Sequence, residues 1–505
     1  MAVTAGSDVP LAAPAPAVLA GLIAERAPRV LVLGDALRDC WLSGPAHRLG
    51  RDAPVPVVEL DASATAPGGA ANVAANLAAL GARVELVAVV GDDPDGRALR
   101  AELAACGVGT THMIVDARCQ TPVKRRIVAA GQTVARYDVG PGAVPAAPTC
   151  AALDAAVDGL LADVDAVVLA DYDLGLLGPD AVTRLAARRD RMPLLVVDAH
   201  DPGRWAPTRP DLVTPSAMEA AHALGEPAPS GDRVGWAADR RHRLLDRLGA
   251  AEVLLTLDVD GAVLLTGAAE TAVRRPAAHR MAESYACGAG DTFTAAATVA
   301  ACVGADPATR LAVAQAAADV AVERTGTAVC GTDALTARLA AADRGQVLEH
   351  RELAAAVREH RRAGHRVVFT NGCFDVLHRG HVAYLRQARG LGDVLVVALN
   401  SDASVSRLKG PQRPVNTLAD RAGVVGALDG VDLVTAFDAD TPIGLIELLC
   451  PEIYAKGGDY TPQMLAETPV VERLGGRVRV LDYLSDHSTS AIVDRIRTAP
   501  DGAAR

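Results

Sequence analysis

The stretch TNGCFDVLHRGHVAYL, residues 370–385, places two histidines where an apolar strand ends and a helix begins. The run Val367 to Phe369 leads into it, and a helical pattern follows His381. Imidazoles at the start of a helix can donate hydrogen bonds to phosphate groups, which the helix dipole also favours there. For the motif alone, one capping and one packed histidine would be the simpler interpretation of His378 and His381. The spacing could also suit a metal, but no third ligand follows in a matching motif.

The strand, turn and helix order of this stretch recurs along the chain. Apolar β-branched runs alternate with Ala- and Leu-rich helical stretches, which is typical of α/β domains with a mostly parallel sheet. We predict buried strands at residues 29–35, 84–92, 165–172, 193–200, 252–258, 365–372, 393–402, 431–437, 452–459 and 477–483. Residues 54–60 read as a strand outside this alternation. Residues 121–138 predict a hairpin around a Gly-Gln turn, a small β lid beside the main sheet.

A chain of 505 residues is too long for one ordinary core, so more than one domain is expected. Residues 1–27 are small and Pro-rich, without the basic segment of a signal peptide, and predict a flexible lead-in. We place the first domain at 28–331, a helical connector at 332–350, and the second domain, expected to be Rossmann-like, at 351–505.

Composition excludes several classes of protein. The net charge of −11 argues against a nucleic-acid binder, which would usually show a basic face. The nine cysteines are scattered without a C-x-x-C pair, so neither a disulfide framework nor a zinc site is indicated, and a reducing cytoplasm fits best. Charges and glycines interrupt the apolar runs before they reach the length of a membrane span.

The segment ACGAGDTFTAA, residues 286–296, places small residues before an aspartate at the start of a helical stretch. Gly288, Ala289 and Gly290 would let backbone N–H groups point at an anion bound at the helix N-terminus. Asp291 would then take a proton from a hydroxyl group that attacks a phosphate. In isolation, a tight strand-to-helix turn would be the better interpretation of this motif.

Two earlier segments strengthen the phosphate-transfer interpretation. VLVLGDALRD (30–39) ends the first predicted strand, and the segment 66–96 places a Gly-Gly pair and an asparagine before a small-residue helix. With the later GAGD, this set resembles the PfkB/ribokinase family of sugar kinases over residues 28–330. The segments GDALRDCWLSGPAHRLGRDAPVPVVEL and TPVKRRIV resemble the heptose 7-phosphate kinase branch of that family.

The resemblance implies a set of site residues, with Asp291 as the catalytic base and Gly288 to Gly290 as the anion hole. The sugar site is implied to contain Asp35, Asp39, Gly68, Gly69 and Asn72. Lys124 and Arg126 are candidates for the sugar's own phosphate, although an exposed hairpin face would explain them equally well. The nucleotide site is implied to contain Ser216, Glu219, Thr256 and Gly261. Glu219 would help to place Mg²⁺ indirectly.

Five positions depart from the pattern of the kinase family. They are Leu174 for Lys, Ser216 for Asn, Asp258 for a small neutral residue, Tyr285 for Asp and Cys287 for Thr. None of them removes the base or the anion hole. Together they leave open how the metal is arranged, how fast the kinase reaction runs and which sugar is its substrate.

The second half resembles the cytidylyltransferase-like nucleotidyltransferases, in particular the adenylyltransferase that forms ADP-heptose, through residues 369–416, 454–460 and 488–492. The resemblance implies that His378, His381 and Lys409 act on the ATP phosphates. The remaining nucleotide and phosphate site is implied to contain Asn371, Gly372, Phe374, Asp375, Lys456, Gly457, Gly458, Asp459, Ser488 and Thr489. A surface turn at KGGD and a plain N-cap at STS are the simpler alternatives. The absence of an RT-x-G-I-S-T motif disfavours CTP with glycerol 3-phosphate.

The whole chain thus resembles the bifunctional heptose kinase and adenylyltransferase family. The resemblance implies ATP and Mg²⁺, a sugar phosphate substrate, a separate phosphatase between the two steps, and a homodimer. Three alternatives stay open: a degenerate kinase half that serves as a dimerisation or regulatory scaffold, the same chemistry on another sugar phosphate, and a redox-sensitive kinase. The last rests on Cys287 beside the anion hole, where a buried, inert cysteine is the simpler interpretation.

Overall fold

The computed structural model describes residues 16–51, 53–140, 144–267, 273–277, 287–324, 326–343, 347–362, 364–458 and 461–481. The chain divides into two compact units between Leu339 and Ala340. Within the described residues, no helix has the length and apolar character needed to span a membrane.

The first unit is built from strands and helices in alternation. Its strands are β1 (Arg29–Gly34), β2 (Ala36–Ser43), β3 (Arg48–Leu49), β4 (Pro56–Val57), β5 (Ala62–Gly69), β6 (Arg83–Val90), β7 (Met113–Val115), β8 (Val123–Ala129), β9 (Gln132–Val139), β10 (Ala166–Asp171), β11 (Leu195–Ala199), β12 (Leu212–Val213), β13 (Glu252–Thr256), β14 (Ala262–Thr266) and β15 (Val273–Arg275). Its helices are α1 (Pro16–Arg26), α2 (Ala70–Ala79), α3 (Pro94–Ala105), α4 (Ala147–Leu160), α5 (Ala181–Ala186), α6 (Ala217–Leu224), α7 (Arg233–Asp239), α8 (Arg241–Leu248), α9 (Ala289–Cys302) and α10 (Pro307–Val322). Helix α11 (Thr332–Asp343) crosses the division between the units.

Nine strands form the main sheet, in the order β15-β14-β13-β12-β11-β10-β1-β6-β7. The strands run parallel from β7 to β13, and β14 and β15 are antiparallel additions. The central strands β1 and β10 are buried along nearly their whole length, as their continuous apolar runs predict. Helices α2 and α9 are largely buried and rich in alanine, because few aromatic side chains are available to fill the core.

A second, four-stranded sheet has the order β5-β2-β8-β9. Strands β8 and β9 form the predicted hairpin, which confirms the small β lid. The predicted strand at 54–60 is wrong in extent, since only Pro56–Val57 pairs, with Arg48–Leu49. Strands β2 and β5 were not expected, because their mixed polar and small residues carry no strand pattern.

The second unit contains a six-stranded sheet in the order β16-β19-β18-β17-β20-β21, parallel throughout. Its strands are β16 (Val347–Leu348), β17 (Val367–Gly372), β18 (Val394–Asn400), β19 (Leu433–Phe437), β20 (Ile453–Gly457) and β21 (Arg477–Leu481). Its helices are α12 (His350–Arg362), α13 (Arg379–Arg389), α14 (Asp402–Lys409), α15 (Leu418–Gly426), α16 (Ile443–Leu449) and α17 (Thr468–Arg473). All ten predicted central strands are present in the two units.

Two of the predicted boundaries need correction. Residues 16–26 are not a flexible lead-in, because helix α1 buries Leu19 and Ile23 in the core of the first unit, and the rest of the predicted lead-in up to residue 15 lies outside the described residues. The connector is not helical throughout, because β16 pairs with β19 and so belongs to the second sheet. The sequence did not indicate α1, because its two buried side chains lie in a small-residue segment. It did not indicate β16, because this strand is only two residues long.

Candidate active sites

Asp291 lies in the first turn of α9, at the carboxyl edge of the main sheet. The turn before it requires glycine, because Gly288 has a φ of 78°. A Cβ atom there would lie 2.6 Å from Nδ2 of Asn72 and 2.9 Å from Cγ2 of Thr327. Gly288 is therefore the N-cap of α9, with Ala289 and Gly290 in its first turn, and a Cβ atom at Gly290 would have no other atom within 4 Å.

Both carboxylate oxygens of Asp291 accept hydrogen bonds. Asn72 Nδ2 donates to Oδ2 at 2.6 Å, and the Tyr172 hydroxyl donates to Oδ1 at 2.5 Å. Desolvation raises the pKa of Asp291, and these two donors oppose the rise. An oriented carboxylate with a raised pKa is suited to accept a proton from a hydroxyl group.

The predicted sugar residue Asp39 lies on β2, beside the lid strand β8. Arg126 Nη1 donates to Asp39 Oδ1 at 2.6 Å, and Thr327 Oγ1 donates to Oδ2 at 3.1 Å. A Cβ atom on Gly68 would lie 2.6 Å from Oδ2 of the same carboxylate. Asp39, Gly68 and Arg126 thus meet at one place.

Lys124 pairs in register with Asp39 and is half-buried, and its positive charge lowers the pKa of Asp291. Arg126 is likewise half-buried, and its guanidinium lies over the ring of Trp41, 5.3 Å from the centroid. The two cations therefore face the predicted site, and the exposed-hairpin alternative does not fit their burial.

The predicted sugar-binding role of Asp35 does not fit its contacts. Its side chain is 4% exposed. Its oxygens accept from the backbone N–H groups of Tyr172, Leu174 and Leu176 at 3.0, 3.0 and 3.1 Å. Asp35 thus fixes the loop after β10. Leu174, which departs from the family pattern, lies in this loop, and its backbone N–H is still bound by Asp35.

Ser216 and Glu219 form a capping box at the start of α6. Glu219 Oε2 accepts from the backbone N–H and the hydroxyl of Ser216, and Oε1 lies 2.9 Å from Nδ1 of His200. Burial opposes ionisation, but the bonds from His200 and Ser216 hold the pKa of Glu219 below its ordinary value. Among the described residues, no group of three or more His, Cys, Asp or Glu is arranged to hold a metal ion.

Thr256 and Gly261 flank the loop between β13 and β14. The backbone N–H of Thr256 donates to the carbonyl of Pro215, which joins the loop to the Ser216 segment. The departure Asp258 lies in this loop with a φ of 52°, and Arg233 Nη1 pairs with its carboxylate at 2.9 Å. The added negative charge is therefore balanced by a neighbouring arginine.

Cys287 lies directly before the anion hole. Burial raises the pKa of its thiol, so its reactive thiolate form is disfavoured. This disfavours the redox-sensitive alternative. Tyr285 lies outside the described residues.

In the second unit, a pocket opens at the carboxyl end of β17. It is lined by Asn371, Gly372, Cys373, Phe374, His381, Tyr384, Lys409, Lys456 and Gly457. All but Cys373 and Tyr384 are among the residues that the sequence implies. Tyr384 follows His381 by three positions on α13, a helical spacing that could have indicated it.

His378 is the N-cap of α13 and accepts from the backbone N–H of Gly380 at 3.2 Å through Nδ1. The rings of His378 and His381 lie 3.9 Å apart. Burial, with the charges of His378 and Lys409, lowers the pKa of His381 to about 4. His381 therefore enters the pocket as a neutral imidazole near pH 7, with the second histidine at the helix start.

Lys456 reaches the floor of the pocket from β20. Its Nζ donates to Oδ1 of Asn371 at 3.1 Å, and the Tyr454 hydroxyl donates to the same oxygen at 2.8 Å. Burial lowers the pKa of Lys456. Polar partners therefore hold its amine in the pocket lining.

Asp375 does not line this pocket. It is buried and accepts from the backbone N–H groups of Val415 and Asn416 at 2.6 and 3.3 Å, and it pairs with Arg413. It therefore shapes the pocket by fixing the loop after Lys409. Gly458, with a φ of 127°, follows β20 outside the lining. Asp459, Ser488 and Thr489 lie outside the described residues.

Families with these two folds match the chain in the same order. Residues 27–334 match the pfkB family of carbohydrate kinases, and residues 369–495 match the cytidylyltransferase-like family. The first unit also shares its fold with phosphofructokinase-2 from Escherichia coli, solved in complex with substrates and products. That structure has 20% identity and a TM-score of 0.52, and the match covers 62% of this chain and 98% of that one. The protein is thus a bifunctional enzyme, a pfkB-type kinase joined to a nucleotidyltransferase.

Relatives that match nearly the full length define the family more closely. The bifunctional protein HldE of Halorhodospira halophila is 41% identical over 476 residues, which cover 93% of this chain and 97% of the relative. HldE of Azotobacter vinelandii is 38% identical over 480 residues, which cover 94% of this chain and 98% of the relative. The chain belongs to the HldE family.

Proposed function

We propose that the first unit phosphorylates O1 of D-glycero-D-manno-heptose 7-phosphate with ATP, and that the second unit transfers AMP from ATP to D-glycero-D-manno-heptose 1-phosphate. The products are a heptose bisphosphate with ADP, and ADP-heptose with pyrophosphate. The proposal rests on one observation in a chain of the HldE family. Asp291 interacts electrostatically with Asp39 and Lys124, and Arg126 donates a hydrogen bond to Asp39.

In the first reaction, the O1 hydroxyl gives its proton to Asp291 while its oxygen attacks the γ-phosphorus of ATP, and ADP leaves. Backbone N–H groups at Gly288 to Gly290 stabilise the charge that develops on the transferred group. Arg126 and Lys124 bind the 7-phosphate of the sugar. Mg²⁺ bound to ATP would neutralise the remaining charge. Glu219 would reach it only through water, because both of its oxygens already accept hydrogen bonds.

In the second reaction, an oxygen of the sugar 1-phosphate attacks the α-phosphorus of ATP, and pyrophosphate leaves. The attacking group is already ionised, so the enzyme needs neither a base nor a nucleophile of its own. His378, His381, Lys409 and Lys456 serve by positioning the phosphates and neutralising their charge. The product of the first reaction keeps its 7-phosphate, so a separate phosphatase acts between the two steps.

A homodimer and a cytoplasmic location complete the proposal. Strand β9 lies at the edge of the lid and is exposed along almost its whole length, which leaves an edge for a second copy. All nine cysteines are free thiols, which suits a reducing compartment. Light scattering of the purified protein tests the dimer.

Mass spectrometry of the products from ATP, Mg²⁺ and D-glycero-D-manno-heptose 7-phosphate tests the first activity in the intact protein. A heptose bisphosphate is expected. If none forms while ADP-heptose is still made from supplied heptose 1-phosphate, the kinase proposal fails and the scaffold alternative gains. A panel of other sugar phosphates in the same assay then decides whether a different sugar is the substrate.

A further inference from the structure

Tyr172 lies at the centre of the kinase site, although no sequence motif assigned it a role. It follows β10 directly, and its ring lies against Gly69, where a Cβ atom would come within 3.2 Å of ring carbon Cδ2. The ring of His200 meets it edge-on, with the centroids 5.4 Å apart. The Tyr172 hydroxyl is thereby held among the charged groups of the site.

The Tyr172 hydroxyl joins two carboxylates that are distant in sequence. It lies 2.5 Å from Oδ1 of Asp291 and 3.0 Å from Oδ2 of Asp198. A hydroxyl group has one proton and can donate it to only one of these acceptors. The shorter contact assigns that proton to Asp291, so the contact with Asp198 is favourable only if Asp198 carries a proton of its own.

The surroundings of Asp198 favour that proton. Desolvation, together with the negative charges of Asp291 and Glu219, raises the pKa of Asp198 well above its ordinary value. Protonated Asp198 donates to the oxygen of Tyr172, and Tyr172 donates to Asp291. The three groups then form one chain of hydrogen bonds that ends on the base.

The backbone of Tyr172 is fixed as firmly as its hydroxyl. Its N–H donates to the buried carboxylate of Asp35, which also holds the N–H groups of Leu174 and Leu176. A carboxylate that accepts three backbone bonds leaves the loop little freedom to move. The contacts of Asp35 therefore act on Asp291 through Tyr172.

We propose that Tyr172 is the positioning residue of the catalytic base, since its hydroxyl orients Asp291 and stabilises its ionised form during phosphorylation of the sugar. This inference rests on the proposed kinase activity. The other groups that face Asp291 are Asn72 on α2, Asp39 on β2, Lys124 on β8, Asp198 on β11 and the thiol of Cys287 directly before α9. Burial and the charge of Asp39 raise the pKa of Asp291, whereas the donors Tyr172 and Asn72 and the charge of Lys124 lower it.

Tyr172→Phe in the full-length protein tests the inference. Loss of a hydrogen bond to a charged group should lower the kinase kcat by about 10- to 100-fold, with the KM values for ATP and the sugar phosphate within about 2-fold. Because the ionised base loses a donor, its pKa rises, and the acid limb of the kcat profile should move to higher pH. A thermal unfolding curve of the first unit that matches the wild type reports that this unit is folded, and the adenylyltransferase rate of the same protein, in the second unit, should be unchanged.

Tyr137→Phe is the matched control, because Tyr137 is 45% exposed on the lid strand β9 and touches no group of the site in the described contacts. It should leave the kinase rate and pH profile unchanged. A Tyr172→Phe protein with an unaltered kcat and acid limb overturns the inference.

Crystal structures of the wild-type and Tyr172→Phe proteins give a readout that does not depend on the substrate. The carboxylate of Asp291 should rotate away from its present orientation in the variant. An unchanged orientation would overturn the inference even if the sugar phosphate proved not to be a substrate. Failure of the wild-type protein to phosphorylate the sugar, with the rotation observed, would instead count against the proposed function alone.

Discussion

The two sites of this chain use opposite kinds of side chain for two reactions at phosphorus. The kinase site is built around carboxylates, and Asp39 and Asp291 each accept hydrogen bonds from two different side chains. The adenylyltransferase pocket is lined instead by His381, Lys409 and Lys456, with no carboxylate in its described lining. A neutral hydroxyl must give up its proton as it attacks, whereas a sugar phosphate attacks already ionised. The difference in nucleophile therefore explains the difference in residues.

The departures from the family pattern fall in the kinase half, and neighbouring residues accommodate two of them, Asp258 and Ser216. Arg233 balances the charge of Asp258, and Ser216 caps its helix and binds Glu219. These contacts keep the loops of the site in place, which argues for a working kinase rather than a scaffold. We expect each site to work without the other.

The strongest test of the separation is Asp291→Asn. Removing the base should lower the kinase rate by about 10³-fold, within the usual contribution of general-base catalysis, and leave ADP-heptose formation unchanged. Release of ADP and of pyrophosphate, measured separately, follows the two reactions. Asp190→Asn, at a side chain that is 95% exposed, is the control. A comparable loss of both activities would contradict two independent sites.

The reciprocal test is His381→Ala. Loss of one donor to the phosphates should lower the adenylyltransferase rate by about 10²-fold, because such donors stabilise charge in the transition state. The kinase rate should not change. His360→Ala is the matched control, since His360 pairs with His365 outside the pocket lining. Equal effects of the two substitutions would remove His381 from the mechanism.

Arg126→Met tests which substrate Arg126 binds in the kinase site. Loss of a charged hydrogen bond to the sugar phosphate should raise its KM by about 10-fold, while the KM for ATP stays near its original value. Steady-state kinetics with each substrate varied in turn measures both constants. Arg97→Met, at a side chain that is 63% exposed, should change neither. A selective rise in the KM for ATP would place Arg126 at the nucleotide.

The lowered pKa of His381 predicts a pH effect on the stability of the second unit. The pKa lies near 4 when the unit is folded and near 6.5 when it is unfolded, so the unfolded state binds more protons between these values. The stability that the folded unit owes to neutral His381 is therefore fully present above about pH 6.5, and it is lost as the pH falls towards 4. Urea unfolding at pH 7 and pH 5 should show a loss on the order of 1 to 2 kcal/mol that His381→Asn reduces. An equal loss in the variant would assign the effect to other groups.

The smallest expected effect is that of Cys287→Ser. The raised pKa of the Cys287 thiol makes it a poor nucleophile, so peroxide should leave the kinase rate unchanged. The serine variant should keep the rate within about 2-fold, because the anion hole uses backbone N–H groups. Inactivation by peroxide that the serine variant resists would revive the redox alternative.

The sequence predicted the central strands of both sheets because buried parallel strands are continuous apolar runs, as in β1 and β18. It missed β5, ASATAPGG, because this strand contains proline and glycine and its first half is exposed, so that pairing with β2 alone defines it. It also missed α1, where two buried side chains lie in a small-residue segment.

Motif spacing located most residues of both sites, but it could not show how they meet. The family resemblance placed Asp35 in the sugar site, yet Asp35 binds the backbone of a loop that begins 137 residues later. Tyr172 and Asp198 were missed for the same reason, since each lies at the end of a separate strand. Only the order of strands in the sheet brings these ends together.

Helix α1 also decides where the protein can be shortened for recombinant expression. Leu19 and Ile23 are 0% and 1% exposed, and they pack in the same apolar cluster as Val30 and Leu80. Translation begun at residue 27, where the family match starts, would leave that cluster open to water and favour aggregation. An affinity tag placed before Pro16 keeps the helix intact.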